Sequence, residues 1–221
     1  MWTGGKLLNA PSGGPWAAPL YNYPSVTKDK AGSIWIFWAT GDKSDPTNTT
    51  GTAGKVIGLK DNDRTTTYTP SSLQDVTNPS QACNDANKDG WFITFTGNEK
   101  AISDITVFGG LVYFTTYVPS SSTNPCDVSG YSNIYAINYL TCGGMLDPTN
   151  SGTKVRSMFV SYGIASAPIV SMRPGGGVGV DLYITQSGGG GQNAGTVRVN
   201  FNPPTLANKT NMLFWRDLRL Q

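Results

Sequence analysis

From Asp85 to Gly90 the chain reads Asp-Ala-Asn-Lys-Asp-Gly. At this spacing, oxygens from alternate side chains converge on a calcium ion while the glycine permits a sharp turn. Asp85, Asn87 and Asp89 are therefore the metal-ligand candidates. The second half of such a loop departs from the pattern: Thr96 stands where a bidentate Glu belongs, and Glu99 comes three residues later. A strand, not a helix, is expected after it. An Asn/Asp/Gly turn leading into a strand at Trp91–Phe95 accounts for the same residues without a metal. Calcium completed by a neighbouring loop and a plain turn both stay open.

Other groupings offer less. Asp42, Asp45, Asp61 and Asp63 fall at loop edges, where carboxylates pair for acid-base work or bind metal but more commonly cap nearby amides. Histidine is absent from the whole chain, which removes the Ser-His-Asp and Cys-His catalytic arrangements and every zinc site that needs imidazole. The glycine tracts Gly175–Gly177 and Gly188–Gly191 do not fit a phosphate-binding loop, since neither GxxxxGK[ST] nor a strand-GxGxxG-helix is present. Trp35, Trp38 and Trp91 lie in strand-like stretches and read as core; Trp2 and Trp16 are less constrained. Cys83, Cys126 and Cys142 sit among polar, Gly and Pro residues, a setting for a disulfide in an extracellular protein, with one thiol left over. Their pairing is undecided. Cys126 and Cys142 fall on loops at opposite strand ends, and Cys83 has both within reach.

The elements that must position these residues are strands. In 221 residues there are 27 glycines and 14 prolines, and only 14% of residues are charged, so turn formers are plentiful and helix formers scarce. The best helical stretch is Ser71–Thr77. Net charge is +2 with no Lys/Arg run, so the electrostatic footprint of a nucleic-acid binder is missing. No apolar run is long enough for a membrane-spanning helix, and no secretory leader opens the sequence. Ile105–Phe108 and Leu111–Val118, joined by Gly109-Gly110, predict a tight hairpin. Leu111–Val118 is so rich in β-branched and aromatic residues that burial on both faces is expected.

The hairpin recurs. Pro24–Thr27 with Ser33–Gly41, Ser103–Thr106 with Leu111–Thr116, and Ala167–Val170 with Asp181–Ser187 are three copies of one pattern. Third strands follow at Lys55–Lys60, Asn133–Tyr139 and Gly195–Phe201, and fourth strands at Trp91–Phe95, Val155–Tyr162 and Leu213–Leu218. The expected fold is an all-β β-propeller fragment of about three four-stranded antiparallel blades, spanning residues 24–96, 102–162 and 166–218. Lys6–Asn9, within residues 1–15, supplies the outer strand of a preceding blade. Three blades do not close a ring, so the remaining blades are expected from an N-terminal portion or a separate chain.

The order of Trp35–Asp42 (WIFWATGD), Lys55–Asp61, Ser72–Thr77, Gly90–Phe95, Val112–Pro119, Asn124–Asn138 (NPCDVSGYSNIYAIN) and Phe214–Leu218 resembles the C-terminal propeller of PilY1-type type IV pilus proteins over nearly the whole chain. The resemblance implies a non-enzymatic type IV pilus assembly and tip-adhesion factor that opposes pilus retraction. It would associate with minor pilins at the pilus tip, and would lie at the cell surface, or in the periplasm or outer membrane during assembly. It also implies calcium as a regulator in some members, with Asp85, Asn87 and Asp89 as the similar residues here. Two readings compete with it. A quinoprotein-like dehydrogenase shares the strand, Gly-Gly, strand pattern, but the adjacent cysteines and the carboxylate cluster it needs are not in the sequence. The other is a lectin-like binding propeller.

Overall fold

The computed structural model describes residues 5–63, 65–120, 130–172, 180–188 and 193–201. Among them are thirteen strands, and the only helical residues are two single 3-10 turns, Gly14–Trp16 and Pro70–Ser72. The all-β expectation holds. The strands form three sheets that follow one another along the chain.

The first sheet contains β1 (Ser25–Lys28), β2 (Ile34–Ala39), β3 (Lys55–Asp61), β4 (Leu73–Asp75) and β5 (Gly90–Thr94), in the order β1-β2-β3-β5-β4. All its neighbours are antiparallel except β4 on β5. The second contains β6 (Lys100–Ala101), β7 (Thr106–Phe108), β8 (Leu111–Val118), β9 (Tyr131–Asn138) and β10 (Ser157–Tyr162), ordered β10-β9-β8-β6, with β7 also on β8. The third is β11 (Ile169–Met172), β12 (Val180–Gln186) and β13 (Gly195–Phe201). The expected fourth strand at Leu213–Leu218 lies outside the described residues, as does Cys126.

Local sequence explains these elements. Phe108 faces Leu111 across Gly109 and Gly110, whose φ angles of 60° and 82° are both positive, the conformation a two-residue hairpin turn requires. In β2 (IWIFWA) burial alternates residue by residue, because one face meets a thick core and the other a thinner cover. In β8 every residue from Leu111 to Tyr117 is buried, as expected of a strand enclosed on both faces. Ser71–Thr77 does not form the helix its spacing suggested. A 3-10 turn ends at Ser72, and Leu73–Asp75 is drawn into parallel pairing with Gly90–Phe92. Burying Leu73 against Ile57 and Leu59 outweighs a weak local helix propensity.

The sheets are layered. Trp35, Phe37, Val56, Trp91 and Ile93 of the first sheet meet Val112, Phe114, Tyr135 and Ile137 of the second. On its opposite side, the second sheet sends Leu111, Tyr113, Ile134 and Ala136 against Val180, Leu182, Ile184 and Val199 of the third. Each large side chain fully buried here contributes about 1.5–3 kcal/mol relative to exposure. The far face of the first sheet is partly covered by the leading segment: Leu8 bridges Tyr68, and Leu7 and Leu8 pack on Ile57, Leu59 and Tyr68.

β1 and β11, the first strands of the first and third sheets, each touch β7 of the second. Tyr23 N donates to Asp104 Oδ1 at 3.3 Å, the Ser25 hydroxyl donates to the Ile105 carbonyl, and Thr106 Oγ1 donates to the Pro168 carbonyl at 3.1 Å. No helix among the described residues is long and apolar enough to cross a membrane.

Candidate functional site

The Asp85–Gly90 turn enters β5 from the end of the first sheet that carries the 62–72 connection. Asp85 accepts the Asn87 amide on Oδ1 at 3.0 Å and the Lys88 amide on its carbonyl at 3.1 Å. Its own amide donates to Gln74 Oε1 at 3.2 Å. Asp89 is tied at three points. Its amide donates to the Ser72 carbonyl at 2.8 Å, its carbonyl accepts the Lys60 amide at 2.7 Å, and its Oδ1 accepts Asn62 Nδ2 at 2.7 Å. Lys88 Nζ donates to the Ser71 carbonyl at 2.6 Å. Gly90 is required by packing: a Cβ there would meet the Gly58 carbonyl oxygen at 2.2 Å.

Asp85 and Asn87 are exposed and Asp89 is half-buried. All three thus lie in one turn, with Asp85 Oδ1 and Asp89 Oδ1 each already engaged by an N–H donor. Calcium takes six to eight oxygens, so an ion here would need more ligands than this turn supplies. Among the described residues no group of three or more His, Cys, Asp or Glu is placed to hold a metal. What the turn does in this conformation is fix the start of β5.

The other acidic candidates are spread over separate turns. Asp42 accepts Ser44 Oγ at 2.6 Å and the Ser44 amide at 3.0 Å. The Ser44 hydroxyl bond is the main reason its carboxyl is held below the usual range. Asp63 takes the Thr66 and Thr65 amides at 2.8 and 2.9 Å and Thr66 Oγ1 at 2.7 Å. Led by the Thr66 amide bond, these lower its pKa to about 2. Both carboxylates act as backbone caps. Asp45 accepts Thr47 Oγ1 at 3.0 Å.

Three buried ionic groups had no motif to announce them. Lys100 Nζ donates to the carbonyls of Asp45, Pro46 and Asn48 at 2.9, 3.1 and 2.5 Å, so the 42–48 loop is wrapped on one ammonium. Burial holds its pKa below the usual lysine value, against the pull of Asp45 and Asp42. Glu99 is buried and accepts from Thr116 Oγ1, from Asn133 Nδ2 at 3.1 Å and from the Tyr135 hydroxyl at 3.1 Å. Arg156 donates from Nε to the Cys142 carbonyl at 2.6 Å and from its terminal nitrogens to the carbonyls of Val76, Asn78 and Gln81. Their partners are carbonyls, hydroxyls and amides contributed by distant loops and strands, so no spacing in the sequence marks them.

Beside Arg156, Cys83 and Cys142 form a disulfide with Cα atoms 5.3 Å apart. Cys83 belongs to the loop between β4 and β5 in the first sheet, and Cys142 to the loop after β9 in the second. The bridge and the guanidinium therefore clamp the same two loops together. No protein-family model, curated protein or solved structure matches the chain.

Proposed function

We propose that this chain is part of a β-propeller in a non-enzymatic factor that assembles type IV pili and mediates adhesion at their tip, with the Asp85–Gly90 turn as its calcium-responsive element. The observation that carries the propeller reading is the contact of β7 with both β1 and β11, one strand from each of three successive sheets. Blades of a propeller are four-stranded antiparallel sheets set around a common axis, and the order β1-β2-β3-β5 is matched by the pairings β7-β8-β9-β10, with the short β6 also on β8. The order of sequence words shared with pilus-tip propellers supports the pilus assignment. A rigid disc of this kind presents its loops at two rims, and the 42–53 and 76–89 loops are long enough to serve as contact surfaces for minor pilins. Calcium would be bound by Asp85, Asn87 and Asp89 together with oxygens from a neighbouring loop, ordering the rim there.

The test is co-purification of the chain with the minor pilins of its own source, with and without calcium. Retention of the minor pilins, stronger with calcium and weakened by Asp89→Ala, is the expected result. Failure to retain them, or quinone-dependent dye reduction by the purified protein, would overturn the assignment. Titration calorimetry with calcium alone tests the metal separately: no heat in the wild type removes calcium and leaves the assembly role standing.

A further inference from the structure

Among the described residues, the three buried cations are not equally provided for. Arg156 has four carbonyl acceptors and Lys100 three. Lys55, the first residue of β3, is only 4% exposed, yet its ammonium donates to a single neutral group, Thr94 Oγ1 at 3.1 Å. Its other contact is the face of Trp16, whose ring centre lies 5.4 Å from Nζ. Among the described residues no carboxylate forms an ion pair with it, and Asp75 acts on it only through space. An ammonium bonded once by the protein needs further acceptors, which water or a ligand beside it must supply. Burial accordingly holds the Lys55 pKa below the usual lysine range.

Lys55 also lines a groove. On the far face of the first sheet, between the sheet and the 7–24 segment, lies a cavity of about 370 Å³ walled by Leu7, Trp16, Leu20, Ile36, Trp38 and Ile57. This volume is within the ~300–1,000 Å³ of small-molecule sites, and such sites combine an apolar lining with a few polar groups that fix orientation. Here the lining is almost wholly aliphatic and indole. Its charged member is the one buried cation that lacks a set of acceptors, so cavity and charge point to a ligand with an apolar body and an anionic head.

We propose that the groove binds a small amphipathic monocarboxylate, its aliphatic or aromatic body lying on Ile36 and Trp38 and its carboxylate accepting hydrogen bonds from Lys55 Nζ. The proposal does not rest on the pilus assignment, and it requires this face of the first sheet to stay open instead of abutting a preceding blade. The carboxylate replaces the acceptors that the protein does not provide, and the Trp16 ring covers the ammonium from one side. A phosphate or dianion fits less well, because one ammonium is the only charge offered. A neutral alcohol of the same length would gain the apolar contacts but leave Lys55 as underbonded as before.

The experiment is a titration of the full chain with decanoate, 4-phenylbutyrate and decanol, followed by tryptophan fluorescence and by calorimetry, since Trp16 and Trp38 form two walls. Decanoate or phenylbutyrate should bind at least tenfold tighter than decanol, and the comparison of the two acids separates an aliphatic from an aromatic preference. Lys55→Met should abolish the advantage of the acids over decanol. Leu20→Asp alters a wall residue that is half exposed, so it leaves the core intact; it should weaken the acids at least fivefold, which keeps the test valid should Lys55→Met fail to fold. Equal binding of acid and alcohol, acid binding unchanged by Leu20→Asp or by a folded Lys55→Met, or no binding of either acid would each overturn the proposal. The last result is expected if another β-sheet packs over the groove instead.

Discussion

Arg156 shows how one side chain can hold two loops by satisfying their backbone. Its guanidinium spreads over carbonyls of residues 76, 78, 81 and 142, of which Val76 and Cys142 are buried. Arg156→Met should therefore lower stability by about 3 kcal/mol, because the buried Val76 and Cys142 carbonyls lose charge-assisted donors that water does not replace. Arg156→Lys should recover only part of this, since one ammonium does not reach acceptors arranged for a planar fork. Urea midpoints of the two variants check both statements. Asp63 makes a different prediction at the same scale. Its folded pKa, about 2, lies below the ordinary value of 3.8, so its contribution to the 63–66 turn is present above the ordinary value and is lost as pH falls from about 4 through about 2. A carboxyl titration followed by NMR should place its midpoint near 2 in the wild type. Replacing Thr66 with Val removes one of its donors and should move that midpoint upward, toward the unperturbed value.

At the scale of elements, much of the fold follows from short-range signals. The Gly109-Gly110 turn, the two-sided burial of β8 and the alternation along β2 are all written in adjacent residues, because strands have a two-residue period and a glycine pair admits positive φ. β4 was not legible, since three residues carry no period and its partner lies fifteen or more residues away. The same reason hid Lys100, Glu99 and Arg156, whose acceptors and donors come from other elements. Asp85, Asn87 and Asp89 were legible as a turn, and whether a cation joins that turn depends on neighbouring loops that the motif does not specify. Gly58 makes the element-level argument testable. It sits in the middle of β3, where a Cβ would meet Trp91 Cε2 at 2.7 Å and Phe37 Cε1 at 2.9 Å. The absence of a side chain is what lets the fully buried Trp91 ring lie across the strand and donate Nε1 to the Tyr139 carbonyl at 2.9 Å. Gly58→Val adds favourable strand propensity yet should destabilise by about 1–3 kcal/mol through overpacking. Thermal unfolding distinguishes the two effects by sign.

Across the whole molecule, the attachment between layers is uneven. The first and second sheets share an aromatic core, the Arg156 clamp and a covalent bridge, whereas the third is held to the second through the cluster around Leu182 and through bonds to the segment leading into β11, Thr106 Oγ1 to the Pro168 carbonyl at 3.1 Å and Thr115 Oγ1 to the Ser166 carbonyl at 2.9 Å. The sequence left the pairing of the cysteines undecided because the choice depends on which loops two packed sheets bring together. The fold chooses Cys83–Cys142, a loop closure over 59 residues. On a chain-entropy model such a bridge stabilises by about 4 kcal/mol. Non-reducing peptide mapping should recover Cys83 joined to Cys142, with the Cys126 thiol free to alkylation; a Cys126 disulfide would contradict the pairing. Cys142→Ser should then lower the stability of the first two sheets by that order. Amide exchange should register the loss in β3, β5, β8 and β9 together. The amides of β12 should already exchange through a lower-energy opening in the wild type, because cooperative units separate where the fewest contacts join them. If β12 is instead as protected as β8 in the wild type, the three layers unfold as one unit and the covalent bridge serves all of them alike.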